Sequence, residues 1–359
     1  MSDSMKIGLT LAGGGAKGAY HVGVLKAIAE LNIPVHCVSG ASVGALNGAM
    51  VAAAGNMQTA YERLNEVWTL LSNDSPLKMS GKVPANLLLT VASGAAFNSL
   101  PVLGKALTGA IDAFAKIDPK QLFSKEEMLC SQPLVRLLEE YLQPEELRAG
   151  LPMYASVYES SGSGQDITKV LLALAGLKNT HDSEYLHLQS LSDEDMKNAL
   201  LASSALPGLY MNRTIGGKKY SDGGQGDWYG ETGNIPVEPL VKSGGNLVIV
   251  AHLSNGSMWD RSAYPDSNII EIRPRTPIAR NSGALSGAKD LLGFKHETIT
   301  SWMEQGYEDA KVTLSRVVDV ISKRSELNKS RVEVERALDS LSDSDASLRH
   351  AFDRINLLK

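Results

Sequence analysis

Val35 to Ala49 constrains this chain more than any other stretch. A short apolar run with β-branched residues leads into Gly40-Ala41-Ser42-Val43-Gly44, and small residues of helix-forming character follow. That pattern predicts a strand, a sharp turn and a helix. In a G-x-S-x-G turn the serine sits at the tip, and the glycines on either side let the backbone reverse without a side chain striking strand or helix. Ser42 is then a candidate nucleophile, with Gly40 and Gly44 framing its elbow. A Gly- and Ser-rich βα loop without chemistry satisfies the same residues, so the rest of the chain must decide.

A second glycine-rich turn lies upstream. Ile7 to Ala12 predicts a buried strand that opens into Gly13-Gly14-Gly15-Ala16-Lys17-Gly18, and Ala19 to Leu31 has helical spacing. Gly13, Gly15 and Gly18 satisfy G-x-G-x-x-G, so a Rossmann-type nucleotide-binding oxidoreductase is one alternative. That site wants an acid for the ribose hydroxyls about 20 residues on. No Asp or Glu occurs from Leu31 to Tyr61. A P-loop fits worse, because Lys17 precedes Gly18 and no Ser or Thr follows. The remaining use of such a loop is to aim backbone N–H groups at developing negative charge. Two βα turns on consecutive parallel strands open at the same sheet edge, so a donor loop and a nucleophile face each other. That pairing points to acyl transfer.

Composition narrows the classes. At 359 residues, 43% hydrophobic and 21% charged, the chain suits one large domain, or one with an appendage. The net charge of −5 offers no basic field for phosphate neutralisation, so nucleic acid is not an expected partner. Two cysteines, Cys37 and Cys130, make no disulfide framework, and Cys37 reads as a reduced core thiol. Met1 to Lys6 runs straight into the first strand, which leaves no room for a signal peptide; the expected location is the cytoplasm, with peripheral membrane contact as an option.

Val83 to Gly104 carries no charge, but its Asn, Thr, Ser and Pro residues weaken a spanning reading; a buried helical pair, or a cap or acyl-chain wall, fits better. Further along, the pattern predicts a helix over Leu134 to Leu142, a strand over Pro152 to Tyr158 ending in the Ser/Gly-rich turn Ser160 to Gly164, and a helix over Met196 to Ala205. Gly216-Gly217 predicts a hairpin turn, and Asp222-Gly223-Gly224 an acid in a tight turn. Asn246 to Leu253 and Asn268 to Ile272 predict strands. The charged segment from Ala310 to Lys359 predicts two helices with a break near Ser340 to Ser347.

A serine hydroxyl needs a base. His252, after the strand Leu247 to Ala251, would give the order Ser, acid, His of the α/β-hydrolases, although Ser42 comes early for that fold. Asp222 acting directly is the other candidate. Here the residues resemble those of the patatin-like phospholipases, of the bacterial type. Gly13 to Gly18 is similar to the family's oxyanion loop, Gly40 to Gly44 to its nucleophile elbow, and Asp222-Gly223-Gly224 to its aspartate motif. Ala202-Ser203-Ser204-Ala205-Leu206-Pro207-Gly208 and Asn234-Ile235-Pro236-Val237 resemble family segments too.

The resemblance implies a three-layer α/β/α fold with a mostly parallel central sheet, spanning 6–310, with 83–130 as a helical cap or acyl-groove wall and 311–359 as a C-terminal helical extension. It also implies a Ser–Asp dyad. Ser42 attacks an ester of a phospholipid or lysophospholipid, Asp222 is the base, and backbone amides of Gly13, Gly14 and Gly15 hold the oxyanion, with no metal or cofactor. One departure stands out: Gln225 to Gly233 separates the Asp-Gly-Gly turn from Asn234, and brings Asp227 as a rival acid and Trp228 and Tyr229 as pocket-lining candidates. A catalytically silent lipid-binding or interaction module is the non-enzymatic alternative.

Overall fold

A computed structural model describes residues 5–73, 132–174, 176–207, 209–278 and 293–356. The uncharged segment 83–104 and the expected cap 83–130 lie outside them. Eight strands form one sheet: β1 (Ile7–Leu11), β2 (Cys37–Ala41), β3 (Met153–Glu159), β4 (Glu184–His187), β5 (Arg213–Ile215), β6 (Lys218–Asp222), β7 (Leu247–Ala251) and β8 (Asn268–Ile272). The order is β5-β6-β3-β2-β1-β7-β8, with β4 joined to β3. Pairings from β3 across to β8 are parallel, whereas β4, β5 and β6 run antiparallel to their neighbours. The architecture is the expected three-layer α/β, with helices flanking a mostly parallel sheet.

Local sequence explains the centre of the sheet. All residues of β1, β2 and β7 are buried, as continuous apolar runs in a sheet covered on both faces must be. Their few hydroxyls are paired: Thr10 Oγ1 lies 3.0 Å from Ser39 Oγ, which donates to the Pro236 carbonyl at 2.6 Å. Helices α1 (Ala19–Glu30), α2 (Val43–Ala53) and α3 (Met57–Asn73) pack together beside the strands. The β5–β6 turn has Gly216 at φ 54° and Gly217 at φ 85°, both in the left-handed region that a two-residue hairpin of this twist requires. Cys37 is a buried free thiol.

Two expectations change. The helix Ser163–Leu174 begins inside the stretch read as a turn, because the buried Asp166 accepts from the Ser161 N–H at 3.1 Å and ties down the helix start. Toward the C-terminus, one helix, His296–Asn356, replaces the expected pair. No Gly or Pro follows Gly306, and Ser and Asp lower helix propensity without breaking the backbone ladder. The chain divides into two compact units, Met1–Thr313 and Leu314–Lys359.

Sheet register brings distant residues together. Ser156 of β3 pairs with Ala41 of β2 and with Tyr185 of β4, so β2 and β4 occupy opposite edges of β3. Val157 pairs with Glu184 of β4 and Asp222 of β6, so β6 shares the β2 edge. Running antiparallel to β3, β6 therefore points its last residue at the end of β2, where Ser42 follows.

Candidate active site

Ser42 sits at the junction of β2 and α2 with φ 52° and ψ −127°. A non-glycine residue held at positive φ is strained, and such strain persists only where neighbours over-determine it. The neighbours do so here. A Cβ at position 40 would lie 2.2 Å from the Gly44 carbonyl oxygen, and one at position 44 would lie 2.1 Å from the Leu11 carbonyl oxygen. The elbow therefore admits only glycine on both sides of the serine. Ser42 is the N-cap residue of α2 but makes no side-chain cap hydrogen bond, so its hydroxyl remains available.

Asp222 ends β6 and is only 4% exposed. Its Oδ1 accepts from the Gly224 N–H at 2.8 Å, and its own N–H donates to the Ala205 carbonyl at 3.0 Å. Position 223 must be glycine, because a Cβ there would meet the Ser156 carbonyl oxygen at 2.2 Å. Burial raises the Asp222 pKa to about 6, against the lowering effects of the Ser42 hydroxyl and the Gly224 N–H. Among the described residues Oδ2 has no hydrogen bond of ordinary geometry. The Ser42 hydroxyl is close enough to the carboxylate to favour its charged form.

The third part is the glycine loop. Gly13 donates its N–H to the Asn234 carbonyl at 3.3 Å, so of the three expected oxyanion donors this one is already engaged. Gly14 and Gly15 open the turn of 3-10 helix Gly15–Gly18, where the first N–H groups have no acceptor within the helix. Gly15 has φ 57°, in the left-handed region. The far end of the loop is held by a residue that the sequence reading missed. Asn47 of α2 donates from Nδ2 to the Gly18 carbonyl at 3.1 Å and accepts from Trp68 Nε1 of α3 at 3.1 Å. A lone carboxamide inside the apolar run after Ser42 was the available signal.

A family model described as patatin-like phospholipase matches residues 9–241, which takes in the glycine loop, the elbow and the aspartate turn together. The chain belongs to the patatin-like phospholipases. Its 60-residue match to the neuropathy target esterase sws of Drosophila melanogaster is 52% identical, and the match to the Drosophila persimilis protein is 50% identical. Each match covers 17% of this chain and only 4% of the relative's length. Among solved structures, VipD from Legionella pneumophila aligns over 87% of this chain and 67% of its own, with 15% identity and a TM-score of 0.41. ExoU aligns over 87% of this chain and 53% of its own, with 16% identity and a TM-score of 0.36.

Within this patatin-like site the rival residues are occupied elsewhere. His252 Nε2 lies 2.9 Å from Glu271 Oε2, its ring is tilted against Trp259, and burial lowers its pKa, so it is a neutral core imidazole turned toward β8. The Ser, Asp, His triad is not assembled. Asp227 accepts from Asn179 Nδ2 at 2.8 Å and from Thr232 Oγ1 at 2.9 Å, and so organises its own loop. Tyr229 is exposed, and the main chain of Trp228 is held by Thr180 Oγ1 at 3.0 Å. The aspartate turn is buttressed from two places: Gln225 Nε2, in the loop after Gly224, donates to the Asp222 carbonyl at 2.8 Å, and Ser183 Oγ, just before β4, donates to the Gly223 carbonyl at 2.6 Å. Among the described residues no helix is long and apolar enough to cross a membrane.

Proposed function

We propose that this chain is a serine lipid acyl hydrolase that cleaves carboxylic esters of phospholipids or lysophospholipids through a Ser42–Asp222 dyad. Ser42 Oγ attacks the ester carbonyl while its proton passes to the Asp222 carboxylate. The carbonyl oxygen becomes an oxyanion, and the N–H groups of Gly14 and Gly15 stabilise it. Collapse expels the alcohol, which takes the proton from Asp222 and leaves the fatty acyl group on Ser42. Asp222 then deprotonates a water molecule that hydrolyses the acyl-enzyme, and the proton returns to Ser42. No step requires a metal or cofactor.

The observation that carries this reading is the interaction between a strained, uncapped serine and a buried carboxylate whose pKa lies near 6. A base with a pKa of about 6 is ionised at neutral pH yet keeps more proton affinity than an ordinary aspartate. Family membership supports the lipid substrate class. Covalent labelling by a fluorophosphonate, followed by peptide mapping, tests the nucleophile. Label on Ser42, with fatty acid released from phosphatidylcholine or lysophosphatidylcholine vesicles, is the expected result; full turnover by Ser42→Ala sinks the proposal.

A further inference from the structure

The two members of the dyad hang from one short segment, the end of the helix Asp193–Ser203 and the turn after it. The Ser42 N–H donates to Ser203 Oγ at 2.9 Å, and Ser203 Oγ donates to the Ser156 carbonyl at 2.6 Å. Two residues on, the Ala205 carbonyl accepts the Asp222 N–H at 3.0 Å. Ser203 is fully buried. A hydroxyl has one proton to give and can accept as well, and both capacities are used here on main-chain groups. One of those groups is the amide of the residue at φ 52°.

We infer that Ser203 is a positioning residue that sets where the Ser42 hydroxyl stands relative to the Asp222 carboxylate. The inference rests on the dyad reading above. The physical argument runs through β3. Ser156 fixes Ser203, Ser203 fixes the nucleophile's amide, and Ala205 fixes the base, so the spacing between the two reacting groups is determined by residues 203–205. Without the Ser203 hydroxyl, the part-buried Ser42 N–H and the buried Ser156 carbonyl each lose this partner. The elbow then has less to hold it at positive φ, and the Ser42 hydroxyl withdraws from Asp222. That hydroxyl stabilises the charged carboxylate. Its withdrawal makes the base harder to ionise as well as more distant.

Ser203→Ala and Ser203→Cys test the idea in the full chain, with a soluble p-nitrophenyl ester as the probe and fluorophosphonate titration to count competent sites. The cysteine variant fills the site with a slightly larger group that is a weaker donor and acceptor, so it covers the case in which the alanine variant does not fold. The expected result is a fall in kcat per competent site of about 10- to 100-fold with KM within about twofold, since displacement of a reacting group acts on the chemical step. The acid limb of the kcat/KM profile should shift to higher pH. A variant with fewer competent sites but wild-type kcat per site and an unmoved acid limb would show that Ser203 serves only stability, and would overturn the inference. Ser42→Ala is run alongside: if it retains activity the dyad reading itself fails, whereas an inactive Ser42→Ala beside an unaltered Ser203→Cys rejects the Ser203 role alone.

Discussion

At the residue scale, Asp222 links chemistry to stability. With Asp222 as the proposed base, a pKa near 6 means that kcat/KM should fall about tenfold per pH unit on going well below pH 6, because the proposed dyad needs the ionised carboxylate to take the serine proton. Initial rates from pH 4.5 to 8 check this. The same shift has the opposite sign for stability. A carboxyl that binds its proton more tightly when folded contributes stability below its unfolded pKa, near 3.8, and that contribution is lost as pH rises through about 6. Above pH 6 the buried charge therefore costs up to about 3 kcal/mol. Asp222→Asn should lose activity by about a thousandfold or more. It should nevertheless melt at or above the wild-type temperature at pH 8, with the advantage shrinking toward pH 4; calorimetry at both pH values decides this.

At the scale of elements, the turns of the candidate site depend on close backbone approach. Gly44→Ala places a methyl 2.1 Å from a main-chain oxygen of β1, where no side-chain rotation relieves the contact. The expected outcome is a loss of about 3 kcal/mol or more and abolished fluorophosphonate labelling, measured by urea denaturation and gel fluorescence. Asn47 joins α2, the glycine loop and α3 through buried hydrogen bonds. Asn47→Ala leaves Trp68 Nε1 unpaired and removes one of the two bonds that the Gly18 carbonyl, which also starts α1, accepts, and should cost about 1–3 kcal/mol. Asn47→Asp should not rescue it, since a carboxylate cannot donate to the Gly18 carbonyl.

At the scale of the molecule, the family match ends at residue 241, but the sheet does not. Strand β7 lies between β1 and β8, and its last residue, Ala251, accepts the Ala12 N–H at 3.1 Å just before the glycine loop. A chain cut after residue 245 should therefore fail to fold, as circular dichroism and solubility would report. The start of the last helix is equally bound to the first unit. A Cβ at Gly23 would meet the Met303 carbonyl oxygen at 1.9 Å, and Tyr20 donates to the buried Asp309 at 3.0 Å. A chain ending at Thr313 retains these contacts and every residue assigned to the site. It should keep kcat/KM on a soluble ester within about threefold of the full chain, as expected of a compact unit with its own core.

Much of this was legible in the sequence because it is local. Continuous apolar runs marked β1, β2 and β7, paired glycines marked the β5–β6 hairpin, and the spacing of Gly40, Ser42 and Gly44 marked a strand-to-helix elbow. Strand β4 was not legible: its four residues are half-buried and carry no alternation, and only β3 makes them a strand. Ser203 was legible as part of a family-like segment, but not as the partner of the Ser42 N–H, because that contact joins residues 161 apart in the chain. The sequence by itself determined the kinds of turn and the residue types that each turn presents, since those follow from backbone sterics and apolar periodicity. Tertiary structure alone supplied the physical reason that the implied acid, Asp222, and not His252 comes to Ser42. Asp222 does so because β6 continues along the edge of β3 where β2 stops, whereas His252, equally plausible in chain order, is carried two strands away and turned toward Glu271.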